Sequence, residues 1–142
     1  MSVNESATVP AENDAINILV YSDNREVRAD VMNAVGNRLG KDLPAINWTE
    51  SATWQAAEMK IQEGNFSLLI LDAETPKLGG IGLGKKVRDE IDPDMDYIVL
   101  IARPQDEWLA RVSKPNAIVP YPIDPRELST VVARVLREKA VR

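Results

Sequence analysis

Two aspartates stand where a carboxylate could do chemistry. Asp23 lies two positions beyond the apolar run INILVY (Ile16 to Tyr21), and Asp72 directly follows the apolar run FSLLIL (Phe66 to Leu71). Each run is continuous and bounded by polar residues, the pattern of a strand buried on both faces of a parallel sheet. If the two strands are neighbours, both carboxylates meet at the carboxyl edge of the sheet, where a hard cation such as Mg²⁺ could be shared between them. Acids in these positions also cap helices and turns, so spacing alone leaves both readings open. Composition narrows the chemistry. The 142-residue chain contains neither Cys nor His, so disulfides, Cys/His zinc sites, thiol nucleophiles and imidazole bases are excluded. A net charge of −5, from 17 basic and 22 acidic residues, argues against a direct nucleic-acid partner, which needs a basic face to displace counterions.

A second candidate is the glycine-rich segment GGIGLGKK. Gly79, Gly84 and Lys85 satisfy most of the phosphate-loop pattern, in which backbone amides and a lysine cradle a nucleotide's phosphates. Lys86 stands where the Mg²⁺-binding hydroxyl belongs, however, and seven residues, Asp72 to Leu78, separate the strand from the first glycine. The competing reading is a close-packed first turn of a helix.

The elements that must position these residues follow from periodicity. With 44% hydrophobic and 27% charged residues the chain is expected to fold as one domain over residues 15–142, behind a disordered polar arm over residues 1–14. No apolar run approaches a membrane span, and MSVNESATVPAEND lacks the regions of a signal peptide, so a cytoplasmic protein without membrane contact is expected. Val27, Val31, Val35 and Leu39 predict a first helix ended by Gly40; a weak edge strand follows near Ala45 to Trp48. Trp54, Ala57 and Ile61 space a second helix stopped by Gly64, and Leu83, Val87 and Ile91 a third closed by Asp92 and Pro93. YIVLIA (Tyr97 to Ala102) reads as a strand, Gln105 to Val112 as a short helix, and Ala117 to Val119 as a brief last strand. The last helix has Asp124 as N-cap, Pro125 at its first position, Glu127 completing a capping box, and Leu128, Val131, Val132, Val135 and Leu136 on one face. The count is (βα)5. Right-handed crossovers then give an α/β, doubly wound, five-stranded parallel sheet with helices on both faces.

From Ile16 to Leu136 the chain resembles the response-regulator receiver family of two-component signalling, a flavodoxin-like fold. LLILDAETPKLGG matches the family's apolar strand, phosphoacceptor aspartate, proline and glycine, here Asp72, Pro76 and Gly80. ILVYSDN matches its acidic pair, and PYPIDPREL its Lys-Pro turn into the last helix. The resemblance implies Asp72 as phosphoacceptor, with Asp23 and the backbone carbonyl of Glu74 joining it around a weak Mg²⁺ site. It also implies a cis bond between Tyr121 and Pro122. Four family positions are substituted. Ser22 replaces the first acid, Ile101 the hydroxyl residue at the end of the fourth strand, Ile118 the switching aromatic and Tyr121 the lysine. Arg103 is either a substitute cation or a solvated loop arginine.

The resulting expectation is an atypical, stand-alone, non-enzymatic receiver of a phosphorelay. It would act by protein–protein interaction, with a sensor kinase or other signalling protein as partner, and its phosphorylation switch would be weakened or absent. The alternatives are a functional Asp72 phosphoacceptor with Mg²⁺-dependent phosphotransfer and, more remotely, a phosphate-loop nucleotide binder. Trp108 reads as a core anchor or, if exposed, as part of an interface with Arg111, through which the chain could pair as a homodimer.

Overall fold

The computed structural model describes residues 15–142; the expected arm over 1–14 lies outside the described residues. The order of elements is β1 (Ile16–Tyr21), α1 (Arg25–Val35), β2 (Ile46–Ser51), α2 (Trp54–Glu63), β3 (Leu68–Asp72), α3 (Gly80–Glu90), β4 (Tyr97–Ile101), a 3-10 turn (Pro104–Asp106), α4 (Glu107–Val112), β5 (Ala117–Pro120) and α5 (Pro125–Ala140). The strands form one parallel five-stranded sheet in the order β2-β1-β3-β4-β5. The order reverses between β1 and β3, and such a switch point is where open α/β sheets bind ligands.

Alternation along the strands divides the core into two layers. Ile18, Val20, Leu68, Ile70, Ile98 and Leu100 pack beneath α1 and α5, meeting Val31, Val35, Leu128, Val132, Val135 and Leu136. Leu19, Tyr21, Leu69, Leu71, Tyr97 and Val99 face the opposite way, onto Ala57 and Ile61 of α2, Leu83 and Val87 of α3 and Ala110 of α4. This two-sided burial explains why the central strands read as unbroken apolar runs.

Side chains cap three of the helices. Asn24 accepts from the Glu26 amide, Thr53 from the Ala56 amide, and Asp124 from the Arg126 and Glu127 amides. Only the Asp124 half of the expected capping box forms. Helix α1 ends about one turn before the expected Gly40. Gly36, at φ 78°, donates to the Met32 carbonyl at 2.8 Å and stops it, and Leu39 reaches the core from the loop beyond. Strand β2 runs on to Ser51 because it pairs residue for residue with β1, Ile16↔Ile46 through Tyr21↔Ser51. Strand β3 starts at Leu68, later than Phe66, and takes in Asp72; β4 ends at Ile101.

The glycine-rich segment is spent on packing. A β-carbon on Gly80 would lie 2.6 Å from the Leu71 carbonyl oxygen, and one on Gly84 2.4 Å from the Tyr97 ring. Lys85 pairs with Asp89, and Lys86 with Glu58 and Glu90. The segment is the close-packed start of α3.

Candidate functional site at the carboxyl edge of the sheet

The register sets the site. Tyr21 is level with Leu71, and Asp72 with Leu100, so the residues leaving β1, β3 and β4 emerge side by side at the carboxyl edge. Asp72 is 3% exposed, and Ser22, which replaces the family's first acid, is fully buried beside it. The Ser22 hydroxyl donates to Asp72 Oδ2 at 2.7 Å and accepts from the Asn24 amide at 3.0 Å. The Glu74 amide donates to Asp72 Oδ1 at 2.9 Å. Both carboxylate oxygens are therefore satisfied by uncharged donors, and no Lys or Arg forms an ion pair with Asp72 among the described residues.

Asp23 is exposed next to this pair, and its amide donates to the buried Thr75 hydroxyl at 3.3 Å, tying the start of α1 to the β3–α3 loop. The Tyr21 hydroxyl donates to the Leu78 carbonyl at 2.5 Å and pins the far end of the same loop. Burial, aided by the charges of Asp23 and Asp72, pushes the Tyr21 hydroxyl up to about 12. A cavity of about 210 Å³, lined in part by Tyr21, Asp23, Trp54, Thr75, Pro76 and Lys77, opens beside the site.

The substituted positions are well separated in character. Ile101 is 4% exposed and wholly apolar, so the end of β4 offers no hydroxyl. Ile118 is half-buried and packs on the α2/α3/α4 layer. Tyr121, joined to Pro122 by a cis bond as the resemblance implies, leans over the α1/α5 layer. Among the described residues its buried hydroxyl has no partner at hydrogen-bonding geometry, although it lies close enough to Asp72 to feel that carboxylate. Burial first, and then the nearby Asp72 carboxylate, raise its ionisation well above the usual tyrosine range, so it carries no charge toward Asp72. Arg103 is exposed and paired with Asp106 at 2.9 Å, the arrangement of a solvated loop arginine, the second of its two readings.

Asp23, Asp72 and the Glu74 backbone are thus brought to one edge. Among the described residues no cluster of three acids is present, so any cation here has two carboxylates and a carbonyl to bind, one of which already accepts from Ser22. That set fits a weakly held hard cation. The sequence reading missed two participants, Thr75 and the Glu74 side chain. Both lie in a loop whose path periodicity does not describe, and only their nearness to Asp72 in sequence signalled them.

Trp108 is 72% exposed, which overturns its reading as a core anchor. Helix α4 is short and contributes only Ala110 to the core, leaving Trp108, Leu109 and Val112 on its outer side. Arg111 pairs with Glu107 and, with Ile101, Lys114, Ile118 and Pro120, borders a groove of about 490 Å³ between α4 and β5.

An uncharacterized response regulatory protein of Mycobacterium tuberculosis strain H37Rv is 41% identical over 132 residues, covering 93% of this chain and 99% of that protein. No protein-family model matches the sequence. Among solved structures, a CheY-like response regulator receiver domain protein from Methanospirillum hungatei superposes with a TM-score of 0.71 at 20% identity, covering 89% of this chain and 97% of that one. A response regulator receiver domain protein from Clostridium thermocellum gives 0.75 at 18% identity, covering 89% and 98%. These structures share the fold.

Proposed function

This chain belongs to the response-regulator receiver family, and on that premise we propose that it is an atypical receiver whose phosphorylation switch is weakened and which signals chiefly by protein–protein interaction. One observation carries the reading. The buried Asp72 carboxylate is held by a serine hydroxyl and a backbone amide, with no Lys or Arg paired to it among the described residues, while isoleucines occupy the two positions through which the family couples phosphorylation to its surface. In phosphotransfer, an Asp72 carboxylate oxygen attacks the phosphorus of a partner's phosphohistidine; the P–N bond breaks as the P–O bond forms, and the imidazole leaves. Asp23, Asp72 and the Glu74 carbonyl would hold Mg²⁺, which when bound neutralises charge on the phosphoryl oxygens. Ser22 competes with that cation for Asp72 Oδ2, and Tyr121 offers a neutral hydroxyl where a charge would help most. Slow, incomplete phosphorylation follows.

The test is incubation with acetyl phosphate and Mg²⁺ followed by intact-mass analysis of wild type and Asp72→Asn. A small, slowly formed phosphate adduct absent from Asp72→Asn is expected. Rapid stoichiometric modification of Asp72 would establish a working phosphoacceptor instead, and no adduct on either protein would leave only the interaction role.

For interaction, the outer side of α4 and the groove beside β5 supply the surface, with a sensor kinase, another signalling protein or a second copy as partner. Trp108 and Arg111 are the anchor and its charged neighbour. Sedimentation at high concentration should show association that Trp108→Ala removes while thermal stability stays unchanged; a monomer throughout would refute pairing through this face. Among the described residues no helix is long and apolar enough to cross a membrane, and a cytoplasmic, non-enzymatic role is the location and class we assign.

A further inference from the structure

The hydrogen-bond donors around Asp72 are engaged by the chain's own acids. Glu74, in the β3–α3 loop, reaches across the carboxyl edge, and its Oε2 accepts the Ala102 amide at 3.1 Å. Ala102 is the first residue after β4. The Leu100 carbonyl turns toward β3, where it accepts the Ala73 amide at 2.9 Å, and alternate residues of a strand turn their backbone groups the same way. The Ala102 amide therefore also faces the β3 edge, the side on which a group attached to Asp72 would emerge. The amide of Glu74 itself is committed to Asp72 Oδ1 at 2.9 Å, and the next cation along the chain, Arg103, to Asp106 at 2.9 Å. Amides at strand ends are the donors a sheet edge offers an incoming anion, and here an internal carboxylate already holds the one from β4.

We propose that the Glu74 side chain is a clamp, an internal anion that occupies the Ala102 amide and ties the β3–α3 loop to the end of β4, so that any anionic group received on Asp72 must first displace it. The inference rests on the reading of Asp72 as the acceptor, and extends it to a positioning residue that sets how readily the site accepts charge. Two effects act together. The clamp withholds a donor, and its negative charge opposes a second anion at the same edge.

The test uses the full chain with beryllofluoride and Mg²⁺ as the probe, and amide hydrogen exchange as a second readout. In wild type the Ala102 amide should exchange about tenfold more slowly than in Glu74→Ala, with Glu74→Gln between them because it keeps an acceptor oxygen without the charge. Beryllofluoride should bind Glu74→Ala about five- to tenfold more tightly than wild type, the order of one exposed charge-assisted hydrogen bond. Glu74 is exposed, so neither substitution threatens the fold. Equal exchange at Ala102 in all three proteins overturns the clamp. Equal beryllofluoride affinity, abolished by Asp72→Asn, overturns the clamp while the acceptor reading stands. Binding to none of the proteins overturns both.

Discussion

The sheet buries one aspartate at each end, and the two are treated oppositely. At the amino edge, Asp96 is 2% exposed and accepts from the Arg142 guanidinium at 3.2 and 2.5 Å and from Asn116 Nδ2 at 3.1 Å. Asn116 in turn accepts from the Tyr97 amide and from Arg88, whose guanidinium stacks 4.3 Å from the Tyr97 ring centre and also donates to the Met95 and Lys114 carbonyls. Charge there is answered by charge within the chain. At the carboxyl edge Asp72 is as deeply buried, yet its partners are a hydroxyl and an amide. A buried charge without an opposite charge is a cost that folding alone does not explain. The contrast marks Asp96 as part of the fold's own ion pairing, and an uncompensated Asp72 is what the proposed acceptor role would require.

Breaking the compensated end should cost most. Asp96→Ala leaves the Asn116 amide without its acceptor and removes the link from Arg142, so urea denaturation is expected to show a loss of about 2–3 kcal/mol. A loss as small as that of an average surface substitution would mean that the amino-edge network is ornamental, and the contrast would fall.

Adding charge to the uncompensated end should cost somewhat less and be reversible. Ser22→Asp places a second carboxylate at a fully buried position against Asp72, and without metal the expected loss is about 1–2 kcal/mol from like charges in a dry site. Mg²⁺ should restore that loss and bind roughly tenfold more tightly than to wild type, while Asp23→Asn should weaken binding. Thermal melts with and without Mg²⁺ measure both. If Mg²⁺ restores nothing, the edge does not receive cations.

How legible the two ends were in the sequence differs for a physical reason. Asp72 directly follows an apolar strand, and a polar residue at that boundary is visible to pattern reading, as was the alternating order that brings Asp23 beside it. The five strands and the capped α5 were legible because burial on both faces and an Asp-Pro start leave strong local signals. The exit of α1 was misplaced by one turn because Leu39 continues the helical spacing while packing from a loop. Trp108 stayed ambiguous because a large aromatic in a short helix has the composition of a core residue; only the three-dimensional fact that α4 buries Ala110 alone decides for the exposed reading. The Asp96 network was invisible, since Arg88, Asn116 and Arg142 are far apart in sequence. The Glu74 clamp was equally hidden, because it spans 28 residues between loops without periodicity.

Tyr21 tests the loop that frames the site. Tyr21→Phe removes the donor to the Leu78 carbonyl, and a loss of about 1 kcal/mol is expected at neutral pH. Its pH dependence carries a further check. The hydroxyl is raised to about 12 in the folded chain, against about 10 when unfolded. Below pH about 10 both states are neutral and the full stability is present; between about 10 and 12 the unfolded state ionises first, and stability falls by about 1.4 kcal/mol per pH unit from this group. Tyr21→Phe should therefore give a shallower alkaline limb than wild type, with the remaining slope carried in part by Tyr121, which is raised for the same reason. Identical alkaline limbs would place the Tyr21 hydroxyl in water.

The smallest expected change is the most telling. Asp72→Asn removes the charge but keeps the shape, and opposing effects meet at one position. The Glu74 amide keeps an acceptor in the new amide oxygen, while the Ser22 hydroxyl loses Oδ2 and faces a nitrogen. Against one weakened hydrogen bond stands relief of a buried charge that no ion pair among the described residues neutralises. The net change should lie within about 0.5 kcal/mol of zero by urea denaturation at neutral pH, far below the loss at Asp96. The comparison needs both measurements under the same conditions and without Mg²⁺, since a bound cation would stabilise the native carboxylate by mass action and make the substitution look costly. A loss at Asp72→Asn equal to that at Asp96→Ala would show that the carboxylate is part of the fold's own electrostatic framework, and the argument that it is held open for an incoming group would fail.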